Sequence, residues 1–357
     1  MKKSICLVLA IALAAVLAAC GGGTAGTPAA PDTAGASVRV LLNVTTSGIG
    51  DLGFNDLAHQ GIQDAAASFG IQFDVTEPRQ MSDHEVILAE SAASGDYDLI
   101  IAVGFEQIEA LRVVAEDYPE QKFMMLDAIV EAPNVVSYVS HEHEASFLIG
   151  ALAALAHQYQ ISPLINDTPV LGFIGGVDSP MIGRFLSGYM AGARYVNSDL
   201  EVIFDFVGGF GDPGTATAIA DTMHHRGASI IYPAAGGSGL GLFTSAQENG
   251  FVAFGVNTNQ NSIAPDFIMA SMLKLVDRAV YDAVRNIVEG TFQAGTITLG
   301  LAEGAVGYSV EGSNIEVPQH ILDTVDAIKD DVVSGAIVVP DAVDQVEAFL
   351  ASHSFAG

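Results

Sequence analysis

Val38-Arg39-Val40-Leu41-Leu42-Asn43-Val44-Thr45-Thr46-Ser47-Gly48-Ile49-Gly50-Asp51-Leu52-Gly53-Phe54-Asn55-Asp56 passes from an apolar run, through a glycine-bearing loop, to a polar pair suited to a helix start. The spacing predicts a strand over Val38–Thr45 and a helix from Asn55 or Asp56 that buries Leu57, Gly61, Ile62, Ala65 and Phe69. The alternation recurs roughly every 25 to 35 residues, the mark of a parallel sheet covered on both faces. Further strands are predicted at Ile71–Thr76, Tyr97–Val103, Lys122–Ile129 and Val135–Val139. A second series follows at Val170–Gly175, Glu201–Val207, Ser229–Ala234 and Val252–Val256. One helix is expected to open at Ser82, with Glu85 completing a capping box. Another is expected from about Pro265, on the stripe Met272, Leu275, Val276, Ala279, Val280 and Ala283.

Two such series predict an α/β fold: two doubly wound parallel-sheet lobes joined by a hinge, with crossings near Ser140, Thr258 and Leu299. Lobe 1 then takes residues 38–140 plus 259–298, and lobe 2 residues 141–258 plus 299–357. Ligands of open α/β sheets sit beyond the carboxyl ends of the strands, so a site is expected in the cleft between lobes.

The amino terminus addresses the chain to the envelope. Lys2 and Lys3 precede an apolar stretch from Ile5 to Ala19. That stretch suits a signal peptide over residues 1–19 and is short for a membrane-spanning helix, which needs roughly 20 residues. Leu17-Ala18-Ala19-Cys20 looks like a bacterial lipobox, which implies a lipid on Cys20 and cleavage before it. Residues 20–37, rich in Gly, Ala, Thr and Pro, read as a flexible tether. The expected location is therefore the cell envelope, anchored to a bacterial membrane and facing away from the cytoplasm. With Cys6 removed and Cys20 acylated, the folded body keeps no thiol.

Charge narrows the partners. The chain carries 13 basic and 42 acidic residues. That field repels nucleic acid and disfavours phosphorylated ligands, while suiting neutral or cationic ones.

The strand ends hold the candidate chemistry. Gly48, Gly50 and Gly53 satisfy a G-x-G-x-x-G pattern after a strand, and Asp74 stands where a ribose-binding acid would be expected. Against a dinucleotide-dependent oxidoreductase, Asp51 would bring a carboxylate towards a pyrophosphate, and three polar residues precede the first glycine. Phe54 and Phe210 instead offer one aromatic from each lobe, able to sandwich a flat ring. Asp127 ends the apolar run Phe123-Met124-Met125-Leu126, where a carboxylate can accept from two vicinal hydroxyls. Gly236-Gly237-Ser238-Gly239 would let backbone approach a ligand, but no G-K-[ST] follows, so phosphate binding is not indicated. His141-Glu142-His143-Glu144 invites a metal reading, yet the histidines are two apart with no cysteine in support, and a lobe-crossing segment is the expectation. No nucleophile–base arrangement stands out. The expectation is a binding protein without catalytic residues, cofactor or metal.

Several motifs, in order, resemble the basic membrane protein family of bacterial lipoproteins, the purine-nucleoside receptors of ABC importers. They include Gly53-Phe54-Asn55, Leu126-Asp127-Ala128, Glu142-His143-Glu144-Ala145-Ser146-Phe147-Leu148, Phe173-Ile174-Gly175-Gly176-Val177-Asp178, Gly188-Tyr189-Met190-Ala191-Gly192-Ala193 and Ser271-Met272-Leu273-Lys274-Leu275-Val276-Asp277. The resemblance implies a type I periplasmic-binding-protein fold that captures nucleosides, purine ones first, and hands them to a membrane permease. By the same resemblance, Phe54 and Phe210 would stack the base, and Asn55 and Asp51 would bond its edge. Asp127 would take ribose hydroxyls, with Gly237 and Lys274 completing the sugar pocket. One position departs. The family usually carries Gly-Val-Asp where this chain has Gly255-Val256-Asn257, so Asn257 replaces a carboxylate and puts the ligand's identity in question. The alternative is another small solute, such as a sugar, a different heterocycle or a signal molecule.

Overall fold

A computed structural model describes residues 37–355. The signal, the lipobox with Cys20 and nearly all of the tether lie outside the described residues. The first half runs β1 (Arg39–Asn43), α1 (Phe54–Phe69), β2 (Gln72–Thr76), α2 (Asp83–Ser94), β3 (Leu99–Val103), α3 (Ile108–Asp117), β4 (Phe123–Leu126) and β5 (Val135–Ser140). The second runs α4 (Glu142–Tyr159), β6 (Val170–Gly175), α5 (Pro180–Val196), β7 (Glu201–Phe206), α6 (Pro213–His225), β8 (Ile230–Ala234), α7 (Leu240–Asn249), β9 (Val252–Gly255) and β10 (Ile268–Lys274). The chain ends through α8 (Val276–Val288), β11 (Gly295–Leu299), β12 (Val306–Ser309), α9 (Gln319–Val333) and α10 (Val346–Leu350).

These form two α/β lobes, each around a six-stranded sheet, in the orders β11-β5-β4-β3-β1-β2 and β12-β10-β9-β8-β6-β7. Every pairing is parallel except β10 with β12. Strands such as Leu-Ile-Ile-Ala-Val at β3 and Phe-Met-Met-Leu at β4 are buried at every residue, because helices cover both faces and no alternation with polar residues is required. In both sheets the order reverses beside the first strand, β1 against β3 and β6 against β8. That is the switch point where open α/β sheets leave a crevice.

Three expectations are corrected. The helix expected from Pro265 begins only at Val276, and Ile268–Lys274 is β10, parallel to β9 and antiparallel to β12. Residues 268–272 are all buried, so their apolar run continues the helical stripe by coincidence. The crossing expected near Thr258 accordingly falls at Lys274–Val276: β10 pairs in the second sheet, while α8 packs on α1 in the first lobe. The other two crossings follow Ser140 and Leu299. At α2, Ser82 occupies the cap position without a side-chain hydrogen bond; the Asp83 carboxylate instead accepts from Arg79 N and Gln80 Nε2.

The most apolar helix, α4, is buried on every side from Ala145 to Ala156, and among the described residues no helix is long and apolar enough to cross a membrane. It lies against α5 at backbone distance. A Cβ on Gly188 or Gly192 would overlap the carbonyls of His143 and Phe147, and one on Gly150 would overlap that of Tyr189. A methyl there forces the helices apart. Gly192→Ala is expected to lower stability by about 1–3 kcal/mol, measured as a shift in urea midpoint at unchanged m-value.

Candidate functional site

The loops after β1, β3 and β4 and those after β6 to β9 converge on one cavity, holding about 540 Å³ free of protein atoms and partly open to solvent. Phe54 and Phe105 line it from the first lobe, and Met181, Phe185 and Phe210 from the second. Phe54 and Phe210, paired on sequence grounds, therefore face one space from opposite sides, each half-buried. Phe210 is seated by glycine. A Cβ on Gly176 would run into its ring, and one on Gly236 would come within 3.3 Å of its Cβ. Phe105, absent from the sequence-based set, meets Phe210 edge to face at 6.0 Å between centroids. Gly236 reaches the cavity wall; Gly237 does not, and packs instead between the carbonyl of Phe210 and Asp51.

At the mouth, the β1–α1 loop is fixed from within. Buried Asp51 accepts from the backbone N–H groups of Gly53, Asn55 and Asp56, so it caps α1 from outside the helix. Burial pushes its pKa up, against those three bonds. Asn55 is fully buried: its Oδ1 accepts from Thr45 N, while Nδ2 donates to Thr45 Oγ1, Ser47 Oγ and the carbonyl of Gly48. Both side chains touch the cavity, yet their polar atoms are committed to loop and helix rather than left over for a ligand edge. Gln260, from the β9–β10 connection, donates to the carbonyl of Leu52 at 2.8 Å and ties the second lobe to this loop.

Glu106 also lines the wall. It accepts from the backbone N and the Oγ1 of Thr46, and His84 Nε2 stands 3.6 Å away, within ion-pair range but outside hydrogen-bond range. Burial would raise its pKa; these partners outweigh that and lower it.

Beneath the cavity runs a chain of charges, of which Asp127 alone reaches the wall. Asp127 Oδ1 lies 2.5 Å from Lys274 Nζ, ion-paired although off the hydrogen-bonding direction. Lys274 donates to Glu142 Oε1 at 2.8 Å, and Arg184 Nε donates to Glu142 Oε2 at 2.8 Å. Lys274 is 2% exposed, Asp127 4% and Glu142 not at all. The same ammonium stands 5.4 Å from the Phe54 ring and 5.8 Å from that of Phe185. Burial pushes Asp127 up, and Lys274 only partly pulls it back. Burial would also raise Glu142, but Lys274 and Arg184 together hold it down to about 2. Lys274 stays charged because the two carboxylates override its desolvation.

Asp127 and Asn257 hold matching places, each after the fourth strand of its lobe, and each has φ of 67°. Asp and Asn tolerate this left-handed backbone better than other residues carrying a Cβ. Both line the cavity, and Asn257 Oδ1 is buried without a partner. An orphan acceptor on a cavity wall is set for a donor from the occupant. Asp74, the would-be dinucleotide acid, is instead held by Arg39 and Tyr97.

Glu142 and Arg184 escaped sequence reading. The signal for Glu142 lies in His141-Glu142-His143-Glu144, where an acid opens a helix directly after a chain crossing.

A family model described as ABC transporter substrate-binding protein, PnrA-like, matches residues 38–341. An uncharacterized lipoprotein of Pyrococcus horikoshii is 34% identical over 321 residues, spanning 86% of this chain and 77% of that protein. The ABC transporter nucleoside-binding protein BmpA of Lactococcus lactis is 30% identical over 366 residues, with 95% and 99% covered. Among solved structures, an ABC transporter solute-binding protein from Aeropyrum pernix superposes with a TM-score of 0.80 at 29% identity, covering 88% of this chain and 99% of that one.

The carboxylate held low sets a pH dependence. A group whose folded pKa is depressed contributes stability above its unfolded value and loses it as pH falls through the folded one. For Glu142 that window runs from about 4.5 down to about 2. Acid unfolding of the wild type is expected to steepen across it, and Glu142→Gln, less stable at pH 7, to show a shallower slope there. Parallel pH profiles of the two would exclude the ion network as the cause.

Proposed function

The chain belongs to the PnrA-like family of ABC transporter substrate-binding proteins, and from that premise we propose that its lobes close on a nucleoside, purine ones foremost, and present it to a membrane permease. One observation carries the reading. Phe54 and Phe210 come from opposite lobes to one cavity whose floor offers the Asp127 carboxylate and the unpaired Oδ1 of Asn257. Two rings suit the faces of a heterocycle, and two acceptors suit the hydroxyls of a sugar. The relative named as nucleoside-binding supports the same class.

The roles follow from the contacts. Phe54 and Phe210 stack the base, with Phe105 bracing Phe210. Asp127 and Asn257 accept from ribose, and Lys274 pairs with Asp127 from below. Asp51 and Asn55 hold the loop that carries Phe54, a positioning role in place of direct contact with the base. Gln260 bonding to Leu52 keeps the lobes together once the cleft has shut. Phosphorylated ligands are disfavoured: Asp51, Glu106 and Asp127 all border the space, and the Lys274 ammonium behind it is shared by two carboxylates. The lipobox cysteine Cys20 would keep the receptor at the membrane beside its permease, in keeping with the lipoprotein relative.

Titration calorimetry with adenosine, guanosine, inosine, cytidine and uridine tests the proposal. Saturable binding of at least one is expected, and silence for all five sinks the nucleoside reading. Phe210→Ala is expected to weaken the best ligand by roughly 1–3 kcal/mol, the scale of a lost base–aromatic stack. Asp127→Asn should weaken that ribonucleoside far more than its free base, and the 5′-monophosphate should bind at least about tenfold more weakly than the nucleoside. Equal losses for base and riboside would remove Asp127 from the sugar.

A further inference from the structure

Beside the aromatic cavity, and sharing Phe105, Asp127 and Met181 with it, lies a second, more open cleft bordered by His141, His143, Arg184 and Asp341. Among the described residues, donor atoms of His141, His143 and Glu144 come within 4.8 Å of one another. The sequence alone speaks against a metal, since the two histidines are two apart with no cysteine in support. The fold adds the rest. The turn into α4 places Glu144 beside His141, with Oε1 2.8 Å from His141 Nδ1, and the two imidazoles lie 5.0 Å apart.

We propose that His141, His143 and Glu144 form a binding site for one divalent late transition-metal ion, of which Zn²⁺ is the representative. Two imidazoles and a carboxylate match the ligand set such ions prefer, and the adjoining cleft leaves a coordination position open to water. An independent observation points the same way. His143 is 9% exposed, and its Nδ1 is buried without a hydrogen-bond partner. His84 and His157 also keep an unbonded ring nitrogen, but only that of His143 belongs to a ring beside two further donors, where a metal approached by ring rotation, or a proton given up on binding, would use it.

The site is also braced as metal ligands are. Glu144 Oε2 accepts from the backbone N–H of Leu301 at 2.7 Å, and second-sphere bonds of this kind fix a ligand's orientation. Gly300 allows that approach, since a Cβ there would lie 2.6 Å from Glu144 Oε2 and 2.9 Å from His141 Nδ1. The donors stand on the first crossing between lobes and are clasped by the third, so a bound ion would stitch two hinge segments together. This inference does not depend on which solute the aromatic cavity takes.

The test is titration of the full chain, freed of any affinity tag, with ZnCl₂ by calorimetry and with CoCl₂ by visible absorption. One ion per chain is expected, with Co²⁺ giving ligand-field bands. His141 is partly exposed, so His141→Ala should fold normally by circular dichroism yet bind at least about tenfold more weakly. Glu144→Gln should do likewise, and a His224→Ala, His225→Ala double variant should bind as wild type. Absence of saturable uptake of either ion overturns the proposal. So does unchanged affinity in the folded His141→Ala variant, which would place any ion elsewhere.

Discussion

The ammonium of Lys274 is the point on which both lobes depend. It sits where β10 leaves the second sheet for α8 in the first lobe, between a carboxylate that ends β4 and one that opens α4. Arg184 of α5, which reaches the open cleft, closes the chain, so two positive charges balance two negative ones, three of the four groups being buried. Burying one such charge alone costs several kcal/mol, and the attraction repays this only when every partner is in place. The network therefore does more to select one arrangement of strand ends than to add stability. If Asp127 moves, Lys274 loses a partner, and with Lys274 go its contacts over the Phe54 and Phe185 rings. The floor of the cavity and the path of the hinge are one structure.

That coupling explains why parts of the site were legible in the sequence and others were not. Phe54, Phe210 and Asp127 each follow a strand at its carboxyl end, and topology alone carries such positions to the crevice. Glu142 could not be found this way: it begins a helix after a crossing, and its importance comes from Lys274, far away in the chain. Asp51 and Asn55 are near the ligand space but spend their polar atoms on the loop's own backbone, and residue type does not distinguish the two uses. Gly237 lost its place to Gly236 by one step in a tight turn, a shift that composition does not encode.

The fold shows the same division. All nine strands expected from apolar runs are present within a few residues, because each is bounded by turn residues and all but β4 and β9 carry an α-helix after them. The three missed, β10, β11 and β12, are those that complete or extend sheets across chain crossings. β10 is apolar without alternation and abuts a helix with a strong apolar stripe, so periodicity merges the two. β11 is mostly exposed and offers little pattern at all. Only pairing, a long-range property, reveals either one.

The two lobes repeat one design, and the repetition bears on Asn257. Asp127 and Asn257 share a left-handed backbone at equivalent strand ends, a conformation that costs energy and is kept where it aims a side chain. Asp127 can be a carboxylate because Lys274 neutralises it. Asn257 has no cation bonded to it, and its Oδ1 is buried with nothing to accept from. A carboxylate there would stand unpaired beside a network whose charges already balance, whereas an amide oxygen costs far less to leave dry. Asparagine thus keeps a buried acceptor on the cavity wall without a fifth charge beside the network. At this position the amide adjusts the electrostatics while keeping a hydrogen-bond acceptor on the cavity wall.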